Sequence, residues 1–245
     1  MKRTIWLIVF GVLVFAGIVV ARLPASWVLP GPSSGMTCSD ADGTVWNGTC
    51  TGLIVQNQAV GDLSWEVHAM RLLSGKINAD IVVTRATGSL QGNVESGFDK
   101  KVIARDVVAD LPIDQELAAT LGPNLRGLRG KVHAQLAFLR VDGQSIRAIE
   151  GVAELHDLTD GGQQWGSYSV TFPPPTTGSP VGHLKDLGTG PIAFDGALKL
   201  NPGGFVVDGL IAARPSAPPE LVQDLRILGS PDAQGRRPFS YEFSF

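Results

Sequence analysis

From residue 43 onward apolar and polar side chains alternate in short runs, and a turn-forming residue interrupts them every eight to twelve positions. A period of two places successive side chains on opposite faces of a pleated strand, and short runs at this spacing pair as antiparallel neighbours. Residues 76–83, KINADIVV, show the pattern, with Ile77, Ala79 and Ile81 set against Lys76, Asn78 and Asp80. The runs 89–94, 102–111, 131–139, 146–155, 168–172, 192–200, 205–212 and 239–245 follow it. Thirty glycines and sixteen prolines supply the turns and leave little room for long helices. The expected fold class is mostly β: an antiparallel sheet body, built as a sandwich or an open groove.

Two stretches change to helical spacing. Residues 113–121 place Ile113, Leu117 and Leu121 on one face and stop at Gly122; residues 219–228 do the same with Leu221, Leu225 and Leu228, stopping at Gly229. Pro219 suits a first helical position, where its missing N–H costs nothing. The two stretches sit in similar contexts. LQGNVE at 90–95 lies above FDGALK at 194–199, and ELAATL at 116–121 above ELVQDL at 220–225, an offset of 104. This predicts an internal duplication of a strand–strand–helix unit, with halves at about 36–125 and 126–245.

The first residues set the compartment. Residues 5–21 are 17 apolar residues without a charge, preceded by Lys2 and Arg3. At about 1.5 Å per residue such a helix crosses a hydrocarbon core of roughly 30 Å when flanking basic side chains snorkel. The basic start keeps the N-terminus in the cytoplasm and sends the rest across. No small-x-small exit follows the run, so the expectation is an uncleaved anchor at 1–22 rather than a signal peptide. Trp6 and Trp27 bracket it as interface anchors, residues 23–35 read as a Pro- and Ser-rich linker, and 36–245 form the body. Without Lys2, Arg3 and Arg22 the chain keeps 17 bases against 23 acids, which removes the electrostatic case for nucleic acid.

Outside the cytoplasm two cysteines twelve positions apart, Cys38 and Cys50, read as a disulfide. An S-D-A-D-G turn between them permits the close approach that a bridge requires. The four histidines are dispersed and none has metal-ligand spacing to the cysteines, so no metal is expected. Neither catalytic motifs nor carboxylate pairs stand out. Gly188-Thr189-Gly190-Pro191 reads as a turn because Pro191 lacks the amide that a phosphate loop uses, and His156-Asp157 with Asp160 reads as a strand entering a turn. The expectation is a non-enzymatic protein with no cofactor and no small-molecule substrate. Trp46, Trp65 and Trp165 lie in strand-like stretches and read as core. The closing FSYEFSF suggests the last strand of an outer-membrane barrel. The anchor, the two helices and strands shorter than about 9–11 residues argue against that rival.

LPASWVLPG at 23–31, GTVWNGTCTGL at 43–53, LSWEVHAMRLLSGKINADI at 63–81 and GSLQGNV at 88–94 together resemble the type II secretion system protein N family. The match runs in order along the chain, with its specific motifs between residues 22 and 95. The resemblance carries Gly43, Val45, Trp46 and Gly48, the Leu63-Ser64-Trp65 step, and the Leu73-x-Gly75-Lys76-Ile77 step. The cysteine pair is a departure from the family pattern. What the resemblance implies is a single-pass inner-membrane protein with a periplasmic body, an accessory scaffold in export of folded proteins through the outer membrane. Its implied partners are other inner-membrane components of that machinery and the outer-membrane secretin. It also suggests kinship with anchored periplasmic β proteins whose groove-like sheets carry lipid, and hence a second function class, a lipid-handling or bridging module. GTVWNG itself is expected to start a strand, its glycines allowing close backbone approach and Trp46 filling the core.

Overall fold

The computed structural model describes residues 2–27, 35–55, 58–72, 74–97, 101–114, 127–143 and 145–244. Two compact units divide the chain, Met1–Ala86 and Thr87–Phe245. Both are built from antiparallel strands, so the chain is mostly β as the alternation requires.

The first unit opens with α1, Lys2–Ala21, followed by a 3-10 turn at Ala25–Trp27. Then come β1 (Met36–Thr37), β2 (Asp40–Gly43), β3 (Asn47–Val55), β4 (Gln58–Val67), α2 (Ala69–Leu72) and β5 (Lys76–Arg85). β3 pairs with β4 and β4 with β5, while β1 and β2 share the other edge of β3. Among the described residues, no helix is long and apolar enough to cross a membrane. One face of this sheet is apolar by register: Gly48 pairs with Trp65 and Trp65 with Ile81, and Val67 pairs with Ala79. The opposite face carries Thr49, Ser64, Glu66 and Asp80.

The second unit contains β6 (Gly88–Gly97), β7 (Lys101–Ile113), β8 (Leu128–Asp142), β9 (Ser145–Asp160) and β10 (Gln163–Phe172). It continues with β11 (Val181–Asp186), β12 (Ile192–Asn201), β13 (Gly204–Ala213), α3 (Pro219–Leu225) and β14 (Arg237–Ser244). From β6 to β14 every strand pairs with the next, one continuous meander rather than two facing sheets of a sandwich. Its register sorts the side chains. Leu90, Ala109, Ala134, Ala153, Val170, Leu184, Gly196, Gly209 and Phe239 are successive cross-strand partners, so they form one row across nine strands. The adjoining row is Gln91, Val108, Gln135, Val152, Thr171, His183, Ala197, Asp208 and Ser240 on the other face. A one-residue step changes an unbroken apolar row into a mainly polar one, because neighbouring residues of a strand face opposite ways.

α3 covers part of the apolar face. Leu221 and Leu225 are buried and cluster with Ile192, Phe194 and Ile211, and Phe194 meets Phe239 edge to face with ring centroids 5.9 Å apart. Burying a leucine in this way contributes about 1.5–3 kcal/mol. The expected helical stretch at 219–228 is therefore present, as α3 continued by a 3-10 turn at Arg226–Leu228 and closed by Gly229 at φ 107°.

Two expectations need correction. Ile113, placed on a helical face by its spacing, ends β7 opposite Gly130 and is 2% exposed. The period-two run Val107, Ala109, Leu111 simply continues through it, and pairing with β8 outweighs local helical spacing. Leu117, Leu121 and Gly122 lie outside the described residues. Strand length is the second point: β7, β8 and β9 have 13, 15 and 16 residues, so shortness no longer argues against a barrel. The two hairpins aligned by the 104-residue offset differ in register: Val94 pairs with Ala104, whereas Leu198 pairs with Val207.

Candidate interaction site

The stretch GTVWNG is a hairpin turn, which corrects its reading as a strand start. β2 ends at Gly43, β3 begins at Asn47, and Gly43 pairs with Gly48. Gly43 holds φ 89°, and a Cβ there would lie 2.5 Å from the Asn47 carbonyl oxygen, so only glycine fits. The Thr44 amide donates to the Asn47 carbonyl at 2.7 Å, and the Thr44 hydroxyl oxygen accepts from the amides of Trp46 and Asn47 at 3.3 and 3.2 Å. These bonds close the turn and lift Val45 and Trp46 out of the strand ladder.

Trp46 accordingly does not fill the core. It is half-buried, and its indole N–H donates to the carbonyl of Val20, in the last turn of α1, at 2.8 Å. The Val45 amide donates to the Leu23 carbonyl at 2.9 Å, Pro24 bridges to Thr44, and Ala25 is 1% exposed. Residues 23–27, expected to open a linker, are thus docked on the β2–β3 turn, because backbone groups there find partners in it. Trp65 completes the arrangement. Its ring occupies the space in which a Cβ on Gly48 would stand, 2.5 Å from Cζ2, and its indole N–H donates to the Val45 carbonyl at 3.1 Å. The Val67 amide in turn donates to the Trp46 carbonyl at 2.6 Å.

Beneath the turn lies an apolar cavity of about 280 Å³, lined by Val45, Trp46, Trp65, Val67, Leu72, Ile77 and Ala79. Gly75, at φ 72°, donates its amide to the Leu72 carbonyl and turns the chain from α2 into β5, which brings Leu72 and Ile77 to the same wall. The structure therefore gathers Gly43, Val45, Trp46, Gly48, Trp65 and Gly75 in one place. Leu73 lies outside the described residues. Sequence reasoning missed Val67, Leu72 and Ala79 as part of this site; the signal was the spacing of three short motifs, whose meeting only the strand register reveals. Trp6 and Trp27 are elsewhere, each 76% exposed.

Cys38 and Cys50 are joined by a disulfide with Cα atoms 5.7 Å apart, and the bridge ties β3 to the chain that enters β2. Cys50 lies on the same sheet face as Leu63 and is fully buried. The remaining polar candidates are locally satisfied. His156 Nε2 lies 2.9 Å from Glu154, His68 Nε2 2.8 Å from Asp80, and His183 Nε2 2.8 Å from Asp195. Asp157 has φ 53° and its amide donates to the Ser167 hydroxyl, an irregularity near the end of β9. Gly188-Thr189-Gly190-Pro191 is a loop in which the Thr189 hydroxyl accepts from the Ser167 amide at 2.8 Å. Among the described residues, no three His, Cys, Asp or Glu side chains gather as metal ligands.

A sheet with one apolar and one polar face, and an apolar turn docked on a helix exit, define a β-sheet protein whose distinctive feature is a surface. Residues 34–240 match the family described as type II secretion system (T2SS), protein N. The chain belongs to the type II secretion system protein N family and is, at that level, a component of the secretion machinery. It is similar to type II secretion system protein N of Aeromonas hydrophila, 24% identical with 99% of each chain covered. It is also similar to the protein of that name from Vibrio cholerae serotype O1, 27% identical over 91% of this chain and 92% of the relative. No solved structure matches it.

Proposed function

We propose that the chain is a non-enzymatic scaffold of the type II secretion machinery, held in the inner membrane by α1 with its sheet body in the periplasm. The observation that carries this reading is the clamp at the helix exit. Trp46, Val45 and Pro24 bind the end of α1 to the first hairpin, so the body is held close to the point where the chain leaves the bilayer. The charge-free apolar run at 5–21 behind Lys2 and Arg3 supports the anchor, the basic residues favouring a cytoplasmic N-terminus. Its partners in this reading are other inner-membrane components and the outer-membrane secretin. A phosphatase fused to the C-terminus should be active, and deletion of the gene should hold exported substrates in the periplasm. Co-purification of inner-membrane components or secretin supports the scaffold, whereas normal secretion in the deletion strain rejects it.

A second reading is favoured by the apolar row from Leu90 to Phe239, which α3 covers only where Leu221 and Leu225 reach. A continuous apolar lining is what a lipid-handling or bridging module needs. Phospholipid co-purifying with the body from a strain whose secretion is unimpaired would favour it over the scaffold.

A further inference from the structure

We propose that the cavity beneath the Trp46 turn takes one acyl chain of a membrane phospholipid, so that the first unit rests on the bilayer as well as hanging from it. This rests on the reading of α1 as a membrane anchor. The walls are Val45, Trp46, Trp65, Val67, Leu72 and Ile77 with Ala79 behind them, and no polar side chain is among them. At about 280 Å³ the space exceeds by several-fold the roughly 30 Å³ share of a water molecule. A water there would need two to four polar partners, and both tryptophan N–H groups are already committed to the Val20 and Val45 carbonyls. The lining suits an apolar occupant rather than water.

Position selects the occupant. Trp46, a wall of the cavity, is bonded to the last turn of α1, where Ile18, Val19 and Val20 stand exposed. That bond sets one wall of the cavity against the end of α1. Ile77, one of the lining residues, is 56% exposed, so the cavity opens to the outside. Exposed Arg22 at the helix exit and exposed Arg71 in α2 add positive charge to this unit, suited to headgroup phosphates. Membrane-interface tryptophans combine an apolar body with a satisfied polar tip in the way Trp46 does.

The test uses the full chain in vesicles of phosphatidylethanolamine and phosphatidylglycerol containing a phospholipid with a photoreactive group on its acyl chain. After illumination, peptides are mapped by mass spectrometry. Label is expected on α1 and also on the peptides containing Val45, Trp46 and Ile77. Ala79→Phe, which fills the cavity, and Ile77→Asp, which makes its rim polar at an exposed position, should each abolish the cavity label and leave that on α1. Protection of the disulfide from reductant shows that each variant is folded; Ile77→Asp keeps the test decisive if Ala79→Phe is not. Label on α1 with none on the cavity peptides overturns the inference and leaves the anchor intact. No label on either rejects the anchor and the inference together. Cavity label that survives both substitutions, or a crosslink to protein in native membranes in its place, also overturns it.

Discussion

The two units carry the same kind of sheet and finish it differently. In the second, α3 lays Leu221 and Leu225 over Phe194 and Ile211, so part of the apolar face is closed by the chain's own side chains. In the first, the apolar face ends at exposed Ile77, and the Cys38–Cys50 bridge holds the edge of the sheet. One unit gains stability from burial in the folded state. In the other, burial of Ala25, Cys50, Leu53 and Ala79 is supplemented by a bridge that limits the unfolded chain. The comparison teaches that one kind of sheet can be reinforced in two ways, by a helix laid over its apolar face or by a covalent bridge at its edge.

The largest break in this comparison should come from the cap. Leu221→Ala or Leu225→Ala removes buried methyl groups and leaves a cavity, and each should lower stability by about 2–5 kcal/mol in denaturant titration. The loss should appear in the second unit, with the disulfide of the first still protected from reductant. An unchanged midpoint would show that α3 does not stabilise that face.

Removing the bridge addresses the other side. Replacing Cys38 and Cys50 with Ala should cost about 3 kcal/mol for a loop of this length, confined to the first unit. In protein denatured without reductant neither cysteine should react with a thiol reagent, and prior reduction should expose both. Labelling of both without reductant would remove the covalent half of the comparison.

A smaller effect is expected at the helix exit. Trp46→Phe keeps the ring against the cavity and deletes one hydrogen bond, which should cost about 1 kcal/mol. Proteolysis at Leu23 to Trp27 should become faster, because that segment is docked on the turn. Equal rates in both proteins would mean that the indole N–H contributes nothing to the clamp.

The smallest effect concerns pH. Burial first, and then the charge of Asp186, push the Tyr168 hydroxyl above the ordinary tyrosine range, with Arg214 opposing. The folded state then holds this proton more tightly than the unfolded one. The contribution to stability is complete below about pH 10, the unfolded value, and is lost as pH rises through the folded value. In a Tyr241→Phe background, the tyrosinate absorbance should appear only above the ordinary range. Ionisation of Tyr168 at about 10 would contradict the burial argument.

Much of the second unit was legible in its period-two runs, and α3 in the spacing of Leu221 and Leu225 together with Pro219 and Gly229. What local pattern did not supply is explained by pairing across the sheet. Val45 and Trp46 favour strands by side-chain type, yet the φ of Gly43 and the hydroxyl of Thr44 make their stretch a turn. Ile113 has helical spacing to Leu117 and strand spacing to Leu111, and the β8 partner decides between them. The site itself is a meeting of motifs some twenty residues apart, Trp46 with Trp65 and Ile77 beyond, and sequence spacing contains no register.

The docked segment at residues 23–27 also has a mechanical meaning. With the Val20 and Leu23 carbonyls both held by the β2–β3 turn, the joint between helix and sheet works as a bracket instead of a tether. A tilt or axial rotation of α1 is delivered directly to β3, and a load pulling on β3 is felt as torque on α1.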